Sequence, residues 1–124
     1  MELTHLADTS VLIDPPLQPV IDGPHLIVTS VVCLGELEAG VLLAAPAEVR
    51  AGRLRRLTAV TATVPALPVD AAVASHYAEI RAASGRAPAN DLWIAATARS
   101  RALVLLTRDD KLSRIQGLST LLVS

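Results

Sequence analysis

Apolar residues fall in two patterns along this chain. Some form short dense runs, and others recur every three or four positions over longer stretches. The short runs are Thr4 to Asp8, His25 to Val28, Ala102 to Leu106 and Leu121 to Val123, and each predicts a strand. Ala102-Leu103-Val104-Leu105-Leu106 is the clearest of them. Leu34, Leu37, Val41 and Leu42 carry the helical spacing, which predicts a helix from an N-cap at Ser30 to about Ala44. Pro46 suits the first turn of a second helix, from about Ala47 to Thr61. Asp70 is placed to cap a third, which ends near Ser84 because Gly85 stops it. Pro88, Ala89 and Asn90 lead into a fourth that begins near Asp91 and runs to Ser100. A short helix is predicted over Asp110 to Ile115, with Asp110 as its N-cap. Pro65 and Pro68 reduce Val64 to Val69 to an edge strand at most. Asp14-Pro15-Pro16 and Asp22-Gly23-Pro24 mark turns.

Strands alternating with helices predict an α/β fold with a mainly parallel central sheet flanked by helices, in one domain over residues 1–124. Composition sharpens this. Hydrophobic residues make up 52%, yet Phe is absent and there is one Trp and one Tyr, so the core must be aliphatic. Aliphatic residues suit buried parallel strands. The single Cys33 cannot form an intrachain disulfide, which fits a reducing compartment. The N-terminus lacks a basic start followed by an apolar run, and no apolar run is long enough to span a bilayer. A cytoplasmic protein without membrane contact is expected.

A formal net charge of −1 removes the strongly basic surface that would favour nucleic acid. Ten of the eleven basic residues are nonetheless Arg, Lys111 being the exception. Arg is the better bidentate partner of phosphate. Arg50, Arg53, Arg55 and Arg56 read as the solvated face of their helix, with an RNA-facing patch as the alternative.

Ligands of parallel α/β sheets bind beyond the carboxyl ends of the strands. Asp8 follows the first strand and Asp109 the clearest one. Glu36 lies two turns into the helix after the second strand, and Asp91 opens the helix that leads back to the strand before Asp109. Singly, each has an ordinary explanation: turn residues, a surface charge, or a helix N-cap at Asp91. Their neighbours argue otherwise. Glu36 sits in Val31-Val32-Cys33-Leu34-Gly35-Glu36-Leu37, Asp91 precedes Leu92-Trp93-Ile94-Ala95-Ala96, and Asp8 follows Leu6-Ala7. Carboxylates beside apolar surface are unfavourable unless paired or bound to a cation. Several together call for a hard divalent ion, Mg²⁺ or Mn²⁺. His5, His25 and His76 are scattered and read as surface or core residues. Cys33 reads as a packed helix residue, and Trp93 as core rather than a platform for bases.

Four segments resemble those of a known family. Asp8-Thr9-Ser10-Val11-Leu12-Ile13 resembles the opening motif of PIN-domain nucleases. Thr29-Ser30-Val31-Val32-Cys33-Leu34-Gly35-Glu36-Leu37 is similar to the second, a strand and a Ser leading to a helical Glu. Asp91-Leu92-Trp93-Ile94-Ala95-Ala96-Thr97-Ala98 resembles the third, and Leu106-Thr107-Arg108-Asp109 the fourth. Order, spacing and length are similar to those of VapC toxins from toxin–antitoxin pairs. The segment after the first motif is short, and Leu112 replaces the usual aromatic after the fourth.

The resemblance implies a PIN-like fold and an Mg²⁺- or Mn²⁺-dependent endoribonuclease. Asp8, Glu36, Asp91 and Asp109 would hold one or two ions directly or through water, and Ser10 and Thr107 would orient carboxylates. It also implies an RNA substrate, a VapB-type antitoxin partner and a homodimer. Two other readings are open: a non-catalytic PIN-fold binding module, and a receiver-like Mg²⁺-binding signalling domain. The receiver fold wants an acidic pair after the first strand and a Lys after the last core strand, whereas Asp8 stands alone and Lys111 lies in another motif.

Overall fold

The computed structural model describes residues 3–13 and 26–123. The two proline turns and His25 lie outside them. Strands β1 (Leu3–Ala7), β2 (Leu26–Ser30), β3 (Ala66–Leu67), β4 (Val104–Thr107) and β5 (Thr120–Leu122) form one sheet in the order β3-β2-β1-β4-β5. Every pairing is parallel. Helices flank the sheet: α1 (Thr9–Leu12), α2 (Val31–Leu43), α3 (Ala47–Thr63), α4 (Ala71–Ser84) and α5 (Ala89–Ser100). No helix among the described residues is long and apolar enough to cross a membrane.

The central strands explain the dense apolar runs. Leu6, Ala7, Val28, Leu105 and Leu106 are fully buried, as strands covered on both faces must be. Aliphatic side chains dominate the core, and the aromatic pair lies at its margin. Tyr77 of α4 stacks on half-buried Trp93 of α5, with ring centroids 3.8 Å apart and planes within 7°. Trp93 is thereby held in packing.

The local signals mostly act as the pattern predicts. Ser30 caps α2 by accepting from the Val32 N–H at 3.0 Å. Asp70 caps α4 through the Val73 N–H at 3.0 Å, and Gly85 ends it at φ 65°, a conformation that Gly adopts without strain. The proline-broken segment yields only the two-residue edge strand β3.

Four expectations need correction. The first strand is Leu3–Ala7, so Asp8 lies outside it and caps the short helix α1 by accepting from Val11. Helix α5 starts at Ala89, so Asp91 stands in its first turn and Pro88 takes the cap position, with no side-chain bond. The residues after β4 form a 3-10 turn, Asp110–Arg114, and Asp109 caps it in place of Asp110. Leu42 is 70% exposed, while Cys33 joins Leu37 and Val41 on the buried face of α2.

Candidate active site

The strand order fixes where the acids meet. β1 neighbours both β2 and β4, so the chain's course reverses between β1 and β4. In open parallel sheets a cleft forms at such a point, beyond the carboxyl ends of the strands. Asp8 follows β1 directly, and Asp109 follows β4 by two residues. Ser30 turns β2 into α2, whose second turn brings Glu36 to the same rim. Asp91 arrives from the first turn of α5. Arg81 fixes that approach by donating to the carbonyls of Gly85 at 2.6 Å and Ala87 at 2.8 Å, in the turn between α4 and α5.

Asp8, Glu36, Asp91 and Asp109 line one cleft of about 250 Å³, with Thr9, Ser10 and Ile94. Asp8 is the most enclosed, at 7% exposure. Its Oδ1 accepts from the Ser10 hydroxyl at 2.6 Å and the Val11 N–H at 3.2 Å. Its Oδ2 accepts from the Thr107 hydroxyl. That same fully buried hydroxyl accepts the Asp109 N–H at 3.0 Å, so Thr107 joins two of the acids. Asp109 in turn accepts the Lys111 N–H at 3.0 Å. Glu36 accepts from the Thr9 hydroxyl at 2.5 Å, with the Asn90 amide 3.5 Å from its other oxygen.

Asp91 has no hydrogen bond of this kind. Partial burial, then the charges of Asp109, Glu36 and Asp8, push its carboxyl above the usual range. Among the described residues, no ion pair reaches any of the four acids. Among the described residues, no three of them close on one point as ready-made ligands. The donor set is hard oxygen carrying uncompensated negative charge. This suits a divalent ion such as Mg²⁺, which keeps several waters and takes only one or two carboxylates directly.

The sequence profile of the PIN domain family matches residues 6–118, a span that contains all four acids. The chain belongs to the PIN domain family. It is 44% identical to Ribonuclease VapC5 of Mycobacterium tuberculosis (strain ATCC 25618 / H37Rv), over 89% of this chain and 86% of the relative. The crystal structure of the toxin–antitoxin family member VapBC-5 from Mycobacterium tuberculosis superposes with a TM-score of 0.85 at 40% identity, covering 98% of this chain and 100% of that one. VapBC-1 from nontypeable Haemophilus influenzae matches at a TM-score of 0.77 and 25% identity, over 97% of this chain and 98% of its own.

Within this PIN domain the pattern of residues did not single out three contributors. Thr9 and Asn90 both contact Glu36. Arg108 donates through its backbone N–H to the Ser10 hydroxyl at 3.2 Å and through Nε to the Ser10 carbonyl at 3.1 Å, lacing the first motif to the fourth. Thr9 and Arg108 lie inside quoted motifs, so position pointed to them although residue type did not. Asn90 had no sequence signal beyond its place beside Asp91.

Proposed function

We propose that this chain is the ribonuclease toxin of a VapBC-type toxin–antitoxin pair and cuts RNA phosphodiesters with the help of Mg²⁺ or Mn²⁺. The observation that carries the reading is the convergence of Asp8, Glu36, Asp91 and Asp109 on one cleft, with no ion pair to any of them among the described residues. Asp8, Glu36, Asp91 and Asp109 would hold a divalent ion, which would supply Lewis acidity to activate water and offset charge on the phosphate.

The chain's own groups prepare that chemistry. Ser10 and Thr107 hold the Asp8 carboxylate in one orientation, and Thr9 does the same for Glu36. Such outer hydroxyls set the basicity and direction of ligands. Asp91 has no donor among the described residues, and its burial, then the charges of Asp109, Glu36 and Asp8, raise its pKa. No protein nucleophile competes. The cleft lining contains neither His nor Cys, and Cys33 is fully buried with its thiol pushed up by desolvation. The Thr9 and Ser10 hydroxyls are committed as donors to carboxylates.

The partner in this reading is a VapB-type antitoxin, and the solved relatives are VapBC complexes by name. Side chains on α2 and α3 support a covered face: Leu42, Leu43, Val49 and Leu54 are all exposed. Several large exposed apolar side chains on two neighbouring helices are what an interaction site would present. The same reading includes a homodimer. Incubation of the purified chain with labelled RNA tests the activity. Cleavage with Mg²⁺ or Mn²⁺ that stops on adding EDTA is the expected result, and cleavage indifferent to the chelator overturns the mechanism.

A further inference from the structure

An acidic cleft repels the polyanion it is meant to cut, so cations must hold the backbone on either side of it. Five of the arginines are already engaged by protein acceptors: Arg53 with Gly40, Arg81 with Gly85 and Ala87, Arg99 with His76 and Gln116, Arg101 with Asp70, and Arg108 with Ser10. The remaining cations are Arg50, Arg55, Arg56, Arg86, Lys111 and Arg114. No hydrogen bond or ion pair to a described residue occupies their side chains.

Three of these six line one groove. Arg86, Lys111 and Arg114 border a groove of about 480 Å³ whose wall is completed by Asp91 and Asp109, two of the acids of the cleft. The groove therefore opens into the cleft along its Asp91–Asp109 side. Through different lining residues, Thr9 and Glu36, the cleft meets a second groove of about 520 Å³, which carries Arg56, the partly engaged Arg53 and the acidic Glu48. The order is a groove with three free cations, then four carboxylates, then a groove with one free cation.

The geometry points to a track for single-stranded RNA, in which Arg86, Lys111 and Arg114 grip phosphates on one side of the cleaved bond and Arg56 follows the strand out on the other. The inference rests on the ribonuclease reading of the cleft and adds to it where the strand lies and which residues hold it. Arginine presents a planar fork to two phosphate oxygens, and lysine a mobile point charge. Cations bound to protein carboxylates would have little to gain from phosphate, and these are unbound. The three-to-one split makes the Asp91–Asp109 side the stronger grip. Arg50 and Arg55, on the exposed face of α3, line neither groove.

The test uses the full chain, a short fluorescein-labelled oligoribonucleotide and a triple variant, Arg86→Gln with Lys111→Gln and Arg114→Gln. All three side chains are exposed, so folding is retained, and the melting curve checks it. Fluorescence anisotropy in EDTA reads binding without cleavage, and steady-state cleavage in Mg²⁺ reads KM and kcat. Each phosphate contact on a single strand contributes about 0.7 to the slope of log affinity against log salt, so loss of three lowers the slope by about 2. Affinity falls by roughly tenfold or more, KM rises in step and kcat at saturation changes by less than about twofold. The control Arg50→Gln with Arg55→Gln leaves all of these unmoved. A triple variant with unaltered affinity and salt slope overturns the track, whether or not the protein cleaves. Failure of the unaltered protein to cleave strikes at the ribonuclease reading, while the anisotropy still decides the track.

Discussion

Thr107→Val tests whether the cleft is built around a hydroxyl. The change is close to isosteric and removes one group. That group is fully buried, donates to Asp8 Oδ2 and accepts the Asp109 N–H at 3.0 Å. A hydrogen bond to a charged partner is worth about 1.5–3 kcal/mol, and an orphaned buried donor adds to the loss. Asp8 keeps the Ser10 hydroxyl and the Val11 N–H, and Asp109 is half-exposed so that water can serve its N–H. The lower half of the range therefore applies, about 2 kcal/mol. For a domain of this size 1 kcal/mol moves the melting temperature by roughly 3–5 °C, so a fall of about 6–10 °C is expected. A methyl group also faces the Asp8 carboxylate and leaves it free to turn. Loss of such outer-shell support typically weakens metal binding 10- to 100-fold. The Mg²⁺ concentration for half-maximal cleavage should rise by about that factor, while cleavage at saturating Mg²⁺ recovers much of its rate. Thr107→Ser keeps the hydroxyl and should restore the Mg²⁺ midpoint. Thermal melts with and without Mg²⁺, and cleavage over an Mg²⁺ titration, supply both readouts. A Thr107→Val protein with wild-type melting temperature and Mg²⁺ midpoint refutes the reasoning.

Asp91→Asn should abolish cleavage and raise the melting temperature of the metal-free protein, because the Asp91 charge is partly buried without a donor among the described residues and is then repelled by Asp109, Glu36 and Asp8. Asp8, which accepts three hydrogen bonds, should show no such gain when replaced by Asn. The sign with pH follows from the raised Asp91 value. Between the ordinary carboxyl pKa and the raised one the folded chain binds more protons than the unfolded chain, so metal-free stability falls as pH rises through that window. Melts across this window in EDTA check it, and Asp91→Asn should flatten the trend. Asp109→Asn should lower cleavage by at least about a hundredfold with little loss of stability, since Asn also caps well, whereas exposed Asp110→Asn should leave cleavage mostly intact. Rates and melting temperatures of the two variants decide which acid matters. Co-expression with the VapB-type antitoxin of the proposed pair should yield a stable complex without nuclease activity, and two proteins that fail to co-purify would refute the pairing.

The sequence by itself determined the kind of fold and the candidate acids. Dense aliphatic runs alternating with helical spacing admit little but a parallel α/β sheet, because such runs must be covered on both faces. Ser30, Asp70 and Gly85 act through neighbours within four residues, so their roles were legible locally. Asp8, Glu36, Asp91 and Asp109 were identifiable from apolar surroundings and from motifs that each lie in one stretch of chain. What the tertiary structure decided is non-local. The order β3-β2-β1-β4-β5 sets β1 beside β4 and brings the Thr107 hydroxyl to Asp8 across 99 positions of sequence, a contact no local pattern contains. Asn90 reaches Glu36 across 54 positions for the same reason. Capping choices that differ by one residue, Asp109 over Asp110, depended on where β4 released the chain. The exposure of Leu42 depended on whether any element lies over that side of α2, which periodicity cannot report. Propensity acts through adjacent residues, while sheet order and helix docking are set by the burial of whole faces, and the cleft lies where those faces end.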